Sequence, residues 1–399
     1  MRIVRAAMRS FALPLLRPIA TSHGTLVARS GFLISVEDEA GRVAHGEATP
    51  FAAFGTEDLS RCEASLRQGL AMWLSQTDRG PASGAGGRVG PAASGQTSEN
   101  PCARAALEAA WCDLSAQAED QSLASWLRDK AGLAGGVSDD VAVQALIQGA
   151  LPEEVASSGR GAAAAGFNTF KLKLGAHAER GALGLDLERV AALREAVGSA
   201  ARLRLDANEA WTRAEAELAL TQLAKFQIDF VEQPVAREAL RDLAALDGYA
   251  DIAVAADEAL LGEGLSKVLD ARATGVLIVK PSALGGISEA LSLVAEARAR
   301  GLRIVWSNLF EGVVGRATAL ALASATGEDG EVHGLGTAGL LALDLDESGQ
   351  ALSHEEARGG MIATAPLLKR ARQVMPAWSR SSARSNMSAW SDEIWMAEG

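Results

Sequence analysis

From residue 141 onward the chain repeats one unit: a short apolar strand, a charged residue at its end, then a stretch rich in Ala and Leu. The charges are Lys173, Asp206, Glu232, Asp257 and Lys280, with successive gaps of 33, 26, 25 and 23 residues. A period of about 25–30 residues suits one strand plus one helix, so one charge falls in each βα unit. Strands are read at 141–147, 169–173, 202–206, 228–232, 252–257, 276–280 and 303–307, with a weak eighth near 332–335. Seven helical segments fill the gaps, most clearly 185–197 and 287–300. The expectation is an α/β fold whose parallel strands close into a barrel. A doubly wound open sheet is the alternative. It gathers its ligands at one switch point, whereas these charges end five successive strands.

Alternate residues of a strand share a face. Lys171 therefore faces inward with Lys173, Arg204 with Asp206 and Ile278 with Lys280, while Phe170, Leu172, Leu203 and Leu205 face the helices. Charges converging in a barrel mouth are costly unless they pair or hold a metal. Three carboxylates without a cation repel. Oxygen ligands with no His or Cys favour Mg²⁺, with Mn²⁺ as a substitute, so Asp206, Glu232 and Asp257 are the expected metal ligands. A lysine must lose about 3 pKa units, or about 4 kcal/mol, to act as a base near neutrality. For Lys173, the neighbouring Lys171, the cation and partial burial act in that direction. A lysine base beside a divalent metal suits removal of a proton next to a carboxylate. Taken singly, each acid reads as a helix cap and the Lys-x-Lys as an exposed edge; in order on consecutive strands they read as an active site. A barrel that only binds is the non-enzymatic alternative. Loss of a metal ligand would favour it, and none is lost.

Residues 1–135 read as a small α+β domain: a hairpin of 31–36 and 42–47 with a partner strand near the start, then helices over 58–74 and 101–131. Residues 80–100, rich in Gly, Ala and Ser, form an expected flexible insert. The barrel occupies 136–345, and 346–399 follows as a C-terminal segment. Its tail, with Trp378, Trp390 and Trp395, is expected to be a poorly packed, disordered extension; docking of these tryptophans on the N-terminal domain or a neighbouring subunit is the alternative.

The net charge of −12 argues against nucleic acid or an anionic membrane as partner, since both need a basic face. A small anionic carboxylate remains allowed, because a metal and a few lysines invert the local field. A homo-oligomer is compatible with the sequence. Cys62, Cys102 and Cys112 form no CxxC pair, and an odd count fits a reduced, cytoplasmic protein. No stretch reaches the ~18–20 apolar residues of a membrane span. Arg5, Arg9, Pro14, Arg17 and Pro18 interrupt any targeting segment, so the start is read as a strand. Gly262-Glu-Gly264 lacks the third glycine of a dinucleotide loop, and the five histidines show no metal spacing.

Together, Phe170-Lys-Leu-Lys-Leu-Gly175, Arg204-Leu-Asp-Ala-Asn208, Phe230-Val-Glu-Gln-Pro234, Ala256-Asp-Glu258 and Lys280-Pro-Ser-Ala-Leu-Gly-Gly286 resemble the muconate-lactonizing subgroup of the enolase superfamily. The resemblance implies a (β/α)7β TIM-like barrel under an α+β capping domain completed by the C-terminal segment. It also implies Asp206, Glu232 and Asp257 as Mg²⁺ ligands, with Lys173 and Lys280 as the catalytic pair. Within the subgroup the chain is most similar to o-succinylbenzoate synthases, lyases of menaquinone biosynthesis, in Gln144-Ala-Leu-Ile147, Arg204, Ser307-Asn-Leu-Phe-Glu-Gly312 and His333-Gly-Leu-Gly-Thr337. Asn308 and Gly312 depart from the pattern. That likeness implies Lys171, Arg204, Ser307 and Gly334 as substrate contacts, Arg204 through a carboxylate, with loops near His23 and at 51–56 closing over the substrate. Dipeptide epimerases carry Asp-x-Asp on the eighth strand where Gly334 and Gly336 stand here, and Asp344-Leu-Asp346 lies beyond the strand end. N-acylamino acid racemase activity shares the same site and stays open.

Overall fold

The computed structural model describes residues 1–21, 24–75, 99–175, 182–327, 330–345, 357–374, 376–377 and 390–398. The expected insert at 80–100, except residues 99 and 100, and His23 and Trp378 lie outside them.

The chain opens with three antiparallel strands, β1 (Ile3–Thr21), β2 (Gly24–Asp38) and β3 (Val43–Ala48). Asp38 makes the turn between β2 and β3: its Oδ1 accepts from the backbone N–H of Ala40 and Arg42, each at 3.0 Å, and Gly41 takes φ 76°. Helices α1 (Leu59–Ser75), α2 (Pro101–Ala118) and α3 (Leu123–Lys130) follow. Leu66, Leu70, Trp73, Ala106 and Ala110 pack against Ile34, Val36 and Ala44 in one apolar core. Gly46 lets β3 approach α2, since a Cβ there would stand 2.0 Å from the Ala106 carbonyl oxygen.

The barrel runs from β4 (Asp140–Ala142) and β5 (Ala145–Ile147) through α4 (Pro152–Ala164), β6 (Thr169–Lys173), α5 (Ala182–Val197), β7 (Arg202–Asp206) and α6 (Arg213–Leu223). It continues with β8 (Ile228–Glu232), α7 (Leu240–Leu246), β9 (Ala253–Ala256), α8 (Gly264–Ala271) and β10 (Val276–Val279). Then come α9 (Pro281–Leu284), α10 (Ile287–Arg300), β11 (Arg303–Trp306) and α11 (Val313–Thr326). The seven strands from β5 to β11 form one parallel sheet in sequence order. The eighth segment closes it by two parallel bridges, Val143 with His333 and Ser307 with Gly334. His333 N–H donates to Ala142 O (2.8 Å), Gln144 N–H to His333 O (2.9 Å) and Gly334 N–H to Trp306 O (2.7 Å).

Residue parity sorts the side chains. Phe170, Leu172, Leu203 and Leu205 meet the helices in the main core, while Phe230, Ala255, Val276, Ile278 and Val305 fill the barrel floor. After the barrel come β12 (Ala357–Arg358), β13 (Met361–Ala363), α12 (Thr364–Arg372) and β14 (Trp390–Glu398). β13 pairs with β4, which splits the first expected barrel strand in two. β14 pairs antiparallel with β1, Met8 opposite Trp395 and Phe11 opposite Trp390. For residues 390–398 the tail is therefore not a poorly packed extension but docks on the N-terminal domain, the alternative expectation. Trp390 meets the Phe11 ring edge-on at 6.0 Å and Trp395 joins the cap core, so apolar burial orders the strand. Among the described residues no helix is long and apolar enough to cross a membrane.

Candidate active site

β6 and β10 are the second and sixth of eight barrel positions, so Lys173 and Lys280 face each other across the lumen. Asp206, Glu232 and Asp257 end or follow β7, β8 and β9 and occupy the arc between them; Lys173, Asp206 and Glu232 share one register row. The strand ends have local causes. Pro281 opens a helical turn right after Lys280, and Gln233 is left-handed (φ 38°) right after Glu232. Buried Gln233 accepts at Oε1 from the N–H groups of Asp257 and Ala259, each at 3.1 Å, and so fixes the chain that carries Asp257. Asn208 is also left-handed (φ 45°), which turns its backbone N–H (3.1 Å) and Nδ2 (2.7 Å) onto Asp206 Oδ1.

These groups open on a cavity of about 890 Å³ at the barrel mouth. Lys171, Lys173, Asp206, Glu232, Asp257, Lys280, Ser307 and Gly334 all line it. Phe51 and Phe54 reach it from the cap loop at 51–56, where Arg237 Nη1 holds the Phe54 carbonyl at 3.1 Å and Glu209 holds Arg237 at 2.7 Å. Gln144, Asn208, Glu258, Asn308 and Thr337 line it too. All five stand inside motifs quoted from the sequence, but none of them was expected to contact the substrate or the metal.

Lys171 Nζ lies 2.7 Å from each carboxylate oxygen of Glu232 and 2.8 Å from Asp206 Oδ2. Its ammonium is thus given to two acids rather than to the open cavity. Burial acts to lower its pKa, but Asp206, Glu232 and Asp257 outweigh burial and raise it. Lys280 Nζ clasps both oxygens of Asp257 and sits 4.2 Å from the Phe54 ring centre. Lys173 Nζ has no hydrogen-bond or ion-pair partner among the described residues. Burial works to raise Asp206, yet Lys171 and Lys173 bring it down to about 2. Burial, then Asp206, pushes Glu232 up to about 8, and burial, then Asp257, pushes Glu258 up to about 9.

Arg204 requires a correction. It faces inward as parity demands, but it does not line the cavity and is fully buried beneath it. Two residues before Asp206 means about 7 Å deeper along the strand. There its guanidinium donates to Asp229 Oδ2 (2.8 Å), Glu331 Oε1 (2.6 Å), Gln144 Oε1 (3.0 Å) and the Val332 carbonyl. A group so occupied is not a ligand for the substrate carboxylate.

The four acids outnumber the two lysines in contact with them, Lys171 and Lys280. Glu258 Oε2 is buried with no hydrogen-bond partner, and two of the carboxyls are held well above their usual range. An all-oxygen donor set with one buried oxygen unpartnered fits a hard divalent cation in its chemistry. Lys171 and Lys280 contact the carboxylates here, and among the described residues no three acids close around a common point.

The family model described as enolase C-terminal domain-like matches residues 154–353. The L-Ala-D/L-Glu epimerase of Bacillus subtilis (strain 168) is 27% identical over 301 residues, spanning 72% of this chain and 75% of the relative. The o-succinylbenzoate synthase of Thermobifida fusca (strain YX) is 35% identical over 211 residues, spanning 52% of this chain and 63% of the relative. The structure of a substrate-liganded complex of the L-Ala-D/L-Glu epimerase from Bacillus subtilis superposes with a TM-score of 0.73 at 26% identity, covering 86% of this chain and 92% of that one.

Proposed function

The chain belongs to the enolase superfamily, in its muconate-lactonizing subgroup, and from that premise we propose that it is an o-succinylbenzoate synthase. Enzymes of this superfamily generally use Mg²⁺ and include both isomerases and lyases. The proposed reaction dehydrates 2-succinyl-6-hydroxy-2,4-cyclohexadiene-1-carboxylate to o-succinylbenzoate.

One observation carries the choice. Among the described residues, every acid lining the cavity belongs to the cluster of Asp206, Glu232, Asp257 and Glu258. The opposite wall is Gln144, Leu146, Ser307, Leu309, Gly334 and Thr337, with nothing anionic to receive a dipeptide's ammonium. Asp344, the first acid after Gly334, is buried against Arg316 at 2.7 Å. The longer alignment with the Bacillus relative favours the competing reading, dipeptide epimerisation. That reading lacks a site for the ammonium.

Asp206, Glu232 and Asp257 would hold the Mg²⁺ ion, which when bound offsets the second negative charge gathering on the substrate carboxylate. The amine of Lys173, free of partners and at the cavity floor, takes the proton α to that carboxylate. The Lys280 ammonium faces it across the lumen and adds positive charge on the other side of the substrate. As the ring becomes aromatic the C–O bond breaks, and the Lys173 ammonium returns its proton to the departing hydroxyl, releasing water. Phe51 and Phe54 exclude solvent from that wall. The test is a spectrophotometric dehydration assay run beside racemisation of N-succinyl amino acids and epimerisation of L-Ala-L-Glu. Turnover of the dipeptide alone would overturn the proposal.

A further inference from the structure

We propose that Gln144 is the residue that selects the substrate's side arm, through an amide N–H₂ that buried Arg204 aims into the cavity; this deepens the dehydratase reading and rests on it. The aim follows from donor and acceptor logic. A guanidinium can only donate, and Arg204 Nη1 stands 3.0 Å from one end of the Gln144 amide. That end must therefore be the oxygen, since a flipped amide would set two donors against each other. Arg204 cannot swing away, because Asp229 and Glu331 hold its Nε and Nη2, and the Val332 carbonyl shares Nη1 with Gln144. Gln144 Nε2 is left facing the cavity, with no partner among the described residues.

The space it faces is shaped by a glycine. A Cβ on Gly334 would lie 3.1 Å from Ser307 Oγ and 3.2 Å from Gln144 Nε2. The missing side chain thus leaves a niche flanked by a hydroxyl and an amide donor, set across the barrel from the carboxylates. The amide N–H₂ recognises a keto or carboxylate oxygen, and no carboxylate flanks the niche to pair with an ammonium. The niche takes the oxygen-bearing arm of an acylated substrate. Arg204 is a positioning residue that acts through Gln144, which explains why it has no access to the cavity.

The test measures binding to the Mg²⁺-loaded protein by calorimetry, with o-succinylbenzoate, 2-propylbenzoate (same ring acid, no acceptor in the arm) and L-Ala-L-Glu as probes. Gln144→Ala should weaken o-succinylbenzoate by about tenfold to a hundredfold and leave 2-propylbenzoate unchanged. Gln144→Glu, which turns an acceptor to the cavity, should weaken o-succinylbenzoate further and strengthen the dipeptide. Arg204→Met should reproduce the Gln144→Ala selectivity, and the double variant should be no worse than either single one. If Arg204→Met does not fold, the two Gln144 variants decide alone. Equal losses for both aromatic acids, or wild-type affinities throughout, would overturn the inference. Racemisation of N-succinyl amino acids with the same Gln144 dependence but no dehydration would sink the reaction assignment and leave this inference standing. Dehydration at the wild-type KM in Gln144→Ala would do the reverse.

Discussion

Removing the Asp344 carboxylate separates the two readings of the site through stability. Asp344 Oδ2 pairs with Arg316 Nη2 at 2.7 Å, and its Oδ1 accepts from the N–H groups of Val313 and Leu345, each at 2.7 Å. The two side chains are only 0% and 2% exposed, so Asp344→Ala takes one partner from a buried pair and an acceptor from the first turn of α11. Breaking such a pair costs about 3–5 kcal/mol. With ~2.1 cal/mol/K of unfolding entropy per residue over 399 residues, Tm should fall by about 4–6 °C. The assay is a thermal melt beside dehydration kinetics measured well below the transition. Tm should drop while kcat/KM holds, because Asp344 serves the joint between α11 and the segment after the eighth strand. A large loss of kcat/KM with Tm unmoved would place Asp344 at the substrate and revive an ammonium site.

Chelation with EDTA should abolish turnover and added Mg²⁺ restore it, and Glu232→Gln should weaken Mg²⁺ binding by calorimetry without unfolding the barrel. Undiminished turnover by metal-free protein would contradict the site. Lys173→Ala should stop solvent deuterium exchange at the α-carbon of a substrate analogue, and Lys280→Ala should slow turnover severely through lost charge stabilisation. If only Lys280→Ala lost exchange, the two roles would be inverted. Burial holds His45 and His333 down to about 4, against an ordinary 6.5. As pH falls, the unfolded chain takes up protons at these rings near 6.5 and the folded one only near 4. Stability is therefore full above about 6.5 and is lost between 6.5 and 4, by about 3 kcal/mol per ring. Urea midpoints across that window should show the decline, and a flat profile would refute it.

The charged strand ends were legible in the sequence because two local properties suffice: residue type and parity along a strand. Parity placed Lys173, Asp206 and Lys280 in the lumen and Leu203 and Leu205 against the helices. It fixes the face but not the depth, so Arg204 could be read as a substrate ligand although it lies beneath the cavity. Its partners Asp229 and Glu331 sit 25 and 127 residues away with no periodic spacing to announce them. The eighth strand read weakly because its pairing is only two bridges in a glycine-rich stretch. Trp390 and Trp395 fell among polar residues, and only the edge of β1, some 380 residues earlier in the chain, gives them something to cover.

That pairing of β14 with β1 has a consequence for synthesis. Arg5 waits for Glu398, so the cap sheet stays one strand short while every barrel residue is made. The barrel has all its strands once Leu335 has emerged, and it can close before its cover is complete. The edge of β1 is meanwhile a row of open backbone groups beside Phe11, ready to pair with any extended segment nearby. A nascent chain of this kind is exposed longest at its earliest strand. Moving β14 ahead of β1 by circular permutation would let the cap sheet form first and reverse that order.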